Sequence, residues 1–321
     1  MRKIGRSQVV NCLVQYYFYY SSCFHVPMTS IPMSIVEYIN DNSKYPAGVI
    51  GCRAAEGNVS YSCCEYDVAV FCDKNRRDLD KVITLNGVTL EFIPFYKISE
   101  TNYIHIRNMI LIKDYDSFLI SSLLTKLREK KYEGMLKNYG KRKIIESLFL
   151  NQAINDNLSK CPLLSSLWLK LAAYYFVEGI LGLNGIKSSP VHELDQIRDL
   201  DLKDPEIATG INCALDCIGI ERAGRSAISR SLSAIRDLEE DRVHKNLWLA
   251  KSQWLLSQGK FADCYHYIGK VGITYLLAKE ERFLRRNLKV IETLLDLTSD
   301  SQANHILHTQ LFKASKDVLR T

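Results

Sequence analysis

Two acidic residues, Glu65 and Asp67, stand at the start of an apolar run that predicts a buried strand, YDVAVFC at 66–72. Residues two positions apart in the sequence point to the same side of a strand. Two buried carboxylates destabilise a fold unless something compensates their charge, and a divalent cation is the usual compensation. Hard oxygen ligands suit Mg²⁺. A third carboxylate, Glu91, lies on a later strand-like run, so three acids could share one metal site if the two strands are neighbours.

The elements that must position these acids are short strands in the first third of the chain. Asn86-Gly87 separates two alternating apolar runs, which is typical of a type I′ hairpin. A short helix is predicted at 34–40. We expect one mixed sheet with the three acids at the same end, built from runs at 47–52, 66–72, 81–86 and 88–94, with a further strand candidate at 108–114.

From residue 116 onward the apolar residues recur at helical spacing, and strand-type alternation disappears. The sequence therefore predicts an α+β fold, with a mixed-sheet α/β domain at 1–115 and an all-helical domain at 116–321. Predicted helices cover 116–138, 142–157, 165–183, 191–200, 204–218, 227–258, 260–295 with breaks, and 301–319.

The segment from 45 to 118 resembles the nucleotidyltransferase superfamily that includes DNA polymerase β, poly(A) polymerases and kanamycin nucleotidyltransferase. The family pattern is Gly-Ser, then about ten residues, then acid-x-acid on a strand, then a third acid on a later strand. Gly51-Cys52 stands at the Gly-Ser position, twelve residues intervene, and Glu65-Tyr66-Asp67 follows, with Glu91 as the third acid. The segment GCRAAEGNVS is also similar to the GSRARG motif of small nucleotidyltransferases.

The resemblance implies Mg²⁺-dependent transfer of a nucleoside monophosphate from an NTP to an acceptor hydroxyl. Glu65, Asp67 and Glu91 would be the catalytic, metal-binding carboxylates, with two Mg²⁺ ions expected. Gly51, Cys52 and Arg53 would bind the nucleotide, because a glycine turn lets backbone N–H groups approach phosphates. The acceptor could be a small molecule, a protein or an RNA end.

Three departures leave an alternative open, namely a degenerate, non-catalytic nucleotide-binding or interaction protein of the same fold. Cys52 replaces a serine, two of the three acids are glutamates, and Cys63-Cys64 stand where Ser or Gly is usual. Cys52 could be a small turn residue, mark a lost phosphate site, or be a redox-sensitive thiol, which needs a lowered pKa. The acids could also simply face water on an edge strand.

His192, Glu193 and Arg198 stand near a predicted helix start. They could face the cleft, or they could be a first-turn histidine and surface charges. Arg236 and His244 come closest to the Arg-x4–6-His pattern of HEPN ribonucleases, but seven residues separate them, which disfavours that activity.

Composition sets broad bounds. The hydrophobic content of 47% supports a sizeable core, and the net charge of +6 permits a nucleotide partner without requiring one. The ten cysteines form no CxxC pair and show no zinc-like spacing, so we expect mostly buried thiols in a reducing cytoplasm. The first 26 residues favour a packed helix over a signal peptide. No run of eighteen apolar residues occurs, so no membrane partner is expected. A homo-oligomer remains possible.

Overall fold

The structure is a computed structural model that describes residues 31–54, 63, 65–74, 77–96, 100–115, 117–129, 132–202, 204–237 and 242–320. Residues 31–115 form the sheet half of the protein and residues 117–320 form the helical half. The predicted first helix near the N-terminus lies outside the described residues. The α+β fold class is confirmed.

The sheet half contains five described strands in one mixed sheet of order β3-β4-β2-β1-β5. Strand β1 is antiparallel to β2 and β5, β2 is parallel to β4, and β3 is antiparallel to β4. The strands are β1 Ala47–Ile50, β2 Glu65–Phe71, β3 Lys81–Leu85, β4 Val88–Phe95 and β5 Ile110–Lys113.

The predicted hairpin is confirmed at β3 and β4. Asn86 and Gly87 have φ angles of 51° and 80°. Positive φ at both central residues is what a type I′ turn requires. The local turn chemistry therefore fixes the register of these two strands, with Leu85 opposite Val88.

Alternation along β2 divides its side chains between two apolar layers. Tyr66, Val68 and Val70 pack with helix α1 (Met33–Asn42) on one face. On the other face, Ala69 and Phe71 pack among side chains of helices α2 (Glu100–Ile106) and α3 (Leu119–Glu129). Both faces of the sheet are thus covered, and Glu65 and Asp67 lie at the open start of the second face.

The helical half is built around one long core helix, α6. Its bounds and those of its neighbours are α4 Tyr132–Phe149, α5 Asn151–Leu158, α6 Pro162–Leu183, α7 Glu193–Arg198, α8 Pro205–Ile218, α9 Arg225–Asp237, α10 Arg242–Ser257, α11 Phe261–Leu277, α12 Glu281–Arg286, α13 Leu288–Leu295 and α14 Ser301–Arg320. The sequence predicted one helix across 227–258. The described residues there form two helices, α9 and α10.

Helix α6 crosses α4 at very short distance because both carry glycines at the contact. A Cβ added to Gly140 would lie 2.6 Å from the carbonyl oxygen of Gly179, and one added to Gly182 would lie 2.8 Å from the Cα of Gly140. Larger residues would push the two helices apart.

By length and composition alone, α6 is apolar enough to cross a membrane. However, 78% of its apolar window is buried inside the protein. Most of this helix is therefore packed against other parts of the protein.

Candidate functional site

The three predicted carboxylates lie on one face of two adjacent strands. Glu65 and Asp67 are two residues apart on β2, and Asp67 is the direct register partner of Glu91 on the parallel strand β4. Glu65 is only 3% exposed, whereas Asp67 and Glu91 are partly exposed. The three acids therefore share one face of the β2–β4 strand pair, with Asp67 directly opposite Glu91.

The backbone of Gly51 packs directly against the side-chain carboxylate of Asp67. It follows β1 directly, begins the 3₁₀ turn Gly51–Ala54, and has a φ of +76°. Ile50, the last residue of β1, pairs with Asp67, so the turn lies beside that carboxylate. A Cβ at position 51 would lie 2.1 Å from Oδ2 of Asp67. Both the positive φ and this close approach favour glycine over any other residue.

Lys251, from the helical half, contacts two of the three acids. Nζ of Lys251, on α10, lies 2.8 Å from Oε1 of Glu65 and 3.6 Å from Oε2 of Glu91. Burial would lower the pKa of Lys251, but interactions with Tyr267 and the carboxylates hold it well above its usual value. Lys251 is therefore an ammonium that compensates buried negative charge.

The charge in this cluster is not fully balanced. Burial, followed by the neighbouring Glu65 charge, raises the pKa of Asp67 to about 6, although Lys251 and Lys187 oppose the rise. Burial lowers the pKa of Lys187, while Asp67 and Cys52 counteract that effect. The two lysines therefore do not fully offset the cost of burying the Asp67 carboxylate, whose pKa stays raised.

Cys52 and Arg53 take positions that differ from a simple phosphate cradle. A hydrogen bond with Cys63 and burial raise the pKa of Cys52. This opposes the redox-sensitive reading, which needs a lowered pKa. The Arg53 guanidinium donates to the carbonyl oxygen of Cys63 and lies 4.9 Å from the ring centroid of Tyr66. Arg53 thus holds the start of β2 in place.

A second group of ligand-type side chains lies beside the Gly51 turn. Among the described residues, one group of three or more potential metal ligands has its ligand atoms all within 4.8 Å of one another, and it consists of Cys52, Cys63 and His192. The three carboxylates do not form such a group. His192, which precedes α7, therefore faces the sheet half, as one of the two sequence interpretations expected.

Glu193 and Arg198 turn away from the acids. Glu193 is fully buried in the helical half, where it contacts Lys270, and Nε2 of His266 lies 3.3 Å from its Oε2. Arg198 pairs with Asp195 and Asp263 at 2.7 and 3.0 Å. These two residues stabilise the helical packing.

Sequence reasoning missed Lys187 and Lys251. Neither residue carries a local signal, because Lys251 is one lysine on an amphipathic helix and Lys187 stands in the loop before α7. Their approach to Asp67 and Glu65 depends on how the helical half docks on the sheet, which no local pattern contains.

Comparisons with known proteins give no relative from which to transfer a function. No family model, curated protein or solved structure matches this chain. Function must therefore be argued from the residues and their geometry.

Proposed function

We propose that this protein binds an NTP with Mg²⁺ and transfers its nucleoside monophosphate to an acceptor hydroxyl. The observation that carries the proposal is the pairing of Asp67 with Glu91 on parallel strands, with Glu65 on the same face and the Gly51 turn closed against Asp67. This is the arrangement that the resemblance to nucleotidyltransferases implies.

The donor chemistry fits magnesium. Glu65, Asp67 and Glu91 offer only hard carboxylate oxygens, which Mg²⁺ prefers. We expect two Mg²⁺ ions, which would stabilise the negative charge of the reacting phosphates. Because Lys251 contacts Glu65 and Glu91, cation binding between these two acids requires the ammonium to give up at least one contact.

The remaining parts of the site suit a triphosphate. Lys251 and Lys187 are cationic side chains from the helical half, and ammonium groups bind phosphate oxygens as point charges. Because Gly51 has no Cβ, its backbone lies directly beside Oδ2 of Asp67, so the turn and this metal-binding carboxylate would face the same ligand. The sheet would then hold the metal-binding acids while the helical half supplies the positive charge.

The acceptor in this proposal is a small molecule, a protein or an RNA end, and the protein acts in the cytoplasm, either alone or as a homo-oligomer. Two observations support that location. The described cysteines are free thiols, as is usual in a reducing compartment, and the one long apolar helix is mostly buried.

One observation favours a second candidate function. Lys251 already supplies a cation to Glu65 and Glu91, at 2.8 and 3.6 Å. If this ammonium stays in place, it replaces a metal ion, and the protein would bind a nucleotide or a partner without transferring anything.

Release of pyrophosphate separates the two functions. Wild type is incubated with each labelled NTP, Mg²⁺ and candidate acceptors, beside Asp67→Asn and the control Glu37→Gln, an exposed acid on α1 behind the sheet. We expect wild type and the control to release pyrophosphate equally, and Asp67→Asn to be slower by roughly 100-fold or more, as for lost electrostatic stabilisation of a transition state. Nucleotide binding without release supports the second candidate. Equal release by all three proteins contradicts the proposal.

A further inference from the structure

The cluster of Cys52, Cys63 and His192 joins parts of the chain that are far apart in sequence. Cys52 lies in the 3₁₀ turn after β1, Cys63 lies two residues before β2, and His192 directly precedes α7 in the helical half. Their sulfur and nitrogen ligand atoms are all within 4.8 Å of one another. The spacing of these residues along the sequence did not predict that their side chains lie close together.

The ligand types select a different metal from the one expected at the carboxylates. Two thiolates and an imidazole favour Zn²⁺ and similar borderline-soft cations, whereas Mg²⁺ favours carboxylate oxygens. With Zn–S bonds of about 2.3 Å and Zn–N bonds of about 2.0 Å, tetrahedral ligand atoms lie roughly 3.4 to 3.8 Å apart. Because the present separations are at most 4.8 Å, a contraction of about 1.4 Å or less would bring the three ligand atoms to tetrahedral separations.

Neighbouring side chains already hold two of the three ligands. Arg53 donates to the carbonyl oxygen of Cys63. The Trp254 ring meets the His192 ring edge to face, with centroids 6.3 Å apart. These two contacts restrict the positions of the Cys63 backbone and the His192 ring.

Two ligands of the cluster are buried, and Cys52 is the most exposed of the three. His192 is 1% exposed and Cys63 is 4% exposed, while Cys52 is partly exposed. Three protein ligands also leave the fourth tetrahedral position free for water or another ligand.

We propose that Cys52, Cys63 and His192 bind one Zn²⁺-class cation that joins the sheet half to the helical half beside the Gly51 turn. As each sulfur–metal bond forms, the thiol releases its proton to solvent, and no electrons are transferred. The bound ion would fix the two halves relative to each other. This inference uses none of the three carboxylates, but it shares Cys52 with the turn assigned to the nucleotide, so its test measures Zn²⁺ binding in the absence of nucleotide.

The test uses the full chain, reduced and stripped of metal. Zn²⁺ is titrated in the presence of excess Mg²⁺, and Co²⁺ is used as a spectroscopic substitute. We expect one Zn²⁺ per chain and a sulfur-to-cobalt charge-transfer band in wild type. Cys63→Ser and His192→Ala should each bind Zn²⁺ at least roughly tenfold more weakly, as for a lost ligand or orienting group. Cys213→Ser, a buried thiol near Cys217 in the helical half, is the matched control and should bind as wild type does.

Measurements of melting temperature distinguish a variant that has lost a Zn²⁺ ligand from one that does not fold. Zn²⁺ should raise the melting temperature of wild type and of Cys213→Ser, but not that of His192→Ala. No Zn²⁺ binding by reduced wild type overturns the inference, whether or not oxidation then joins Cys52 to Cys63. Equal binding by wild type and a folded His192→Ala also overturns it, because the ion would then not join the two halves.

Discussion

The ammonium nitrogen of Lys251 lies 2.8 Å from Oε1 of Glu65. This contact joins α10 of the helical half to the first residue of β2, and it compensates a carboxylate that is 3% exposed. The helical half therefore supplies a positive charge to the acidic residues of the sheet. The same ammonium is what a Mg²⁺ ion would have to displace.

Removing the Lys251 ammonium should destabilise the protein strongly. Removing one partner of a buried ion pair lowers the unfolding free energy by about 3 to 5 kcal/mol, because the remaining charge stays buried without its partner. We expect Lys251→Met to lose that amount of unfolding free energy in urea denaturation without Mg²⁺, and to recover part of it when Mg²⁺ is added.

The control for this prediction is Lys289→Met. Lys289 pairs with Glu292 at 2.9 Å, but the lysine side chain is 87% exposed, so its loss should change stability by less than about 1 kcal/mol. If Lys251→Met were as stable as this control, the Lys251–Glu65 contact would not be a buried, compensating pair.

Gly51→Ala should weaken nucleotide binding in addition to lowering the unfolding free energy through its positive φ. Alanine at a positive φ costs about 1 to 2 kcal/mol at any position. At position 51 the new Cβ would also meet Oδ2 of Asp67 at 2.1 Å and force that carboxylate to move. We expect Mg²⁺–ATP affinity to fall by roughly tenfold or more, as for a displaced ligand.

Gly87→Ala is the matched variant, since Gly87 has a φ of +80° and nothing within 4 Å of an added Cβ. It should show the loss of unfolding free energy without any change in nucleotide affinity. Equal nucleotide affinity in the two variants would show that Asp67 does not depend on the Gly51 turn.

The lowered pKa of Lys170 should make the unfolding free energy depend on pH. This residue is 3% exposed and donates to the carbonyl oxygen of Ile218 at 2.6 Å. Burial, aided by Arg222, lowers its pKa from 10.5 to about 7. Between these values the unfolded chain binds more protons than the folded one, so stability rises with pH from about 7 toward 10.5.

Urea denaturation between pH 6 and about pH 9 measures this slope, whose maximum is about 1.4 kcal/mol per pH unit for one proton. Lys170→Met should remove the contribution of this lysine, whereas Lys289→Met should keep it. A wild-type slope that Lys170→Met leaves unchanged would mean that Lys170 remains charged in the folded protein throughout this range.

Local patterns in the sequence predicted much of the sheet. The Asn86-Gly87 hairpin depends on two residues with positive φ, and the identity of β2 depends on its own short apolar run, so both can be inferred without the rest of the chain. The placement of Glu91 next to Asp67 could only be stated as a condition, because it requires β4 to lie parallel to β2. That pairing is a property of the whole sheet.

The rest of the site lay beyond sequence reasoning because it forms between the two halves. Lys251 and Lys187 reach the acids, and His192 reaches Cys52 and Cys63, through the docking of the helical half. The cysteines were expected to be isolated buried thiols because no zinc-like spacing exists along the chain. Spacing along the chain is informative only when the ligands come from one local segment.

The central claim is that Asp67 belongs to a Mg²⁺–nucleotide site, and titration calorimetry of Asp67→Asn tests it most directly. The substitution removes one negative ligand while keeping the shape of the side chain. Wild type and Glu37→Gln, an exposed acid behind the sheet, should bind at least one of the four common NTPs in the presence of Mg²⁺ with equal affinity. Asp67→Asn should bind roughly tenfold or more weakly, a loss of about 1.4 kcal/mol or more. Equal affinity of Asp67→Asn and wild type, or no Mg²⁺-dependent binding of any NTP by wild type, would contradict the account.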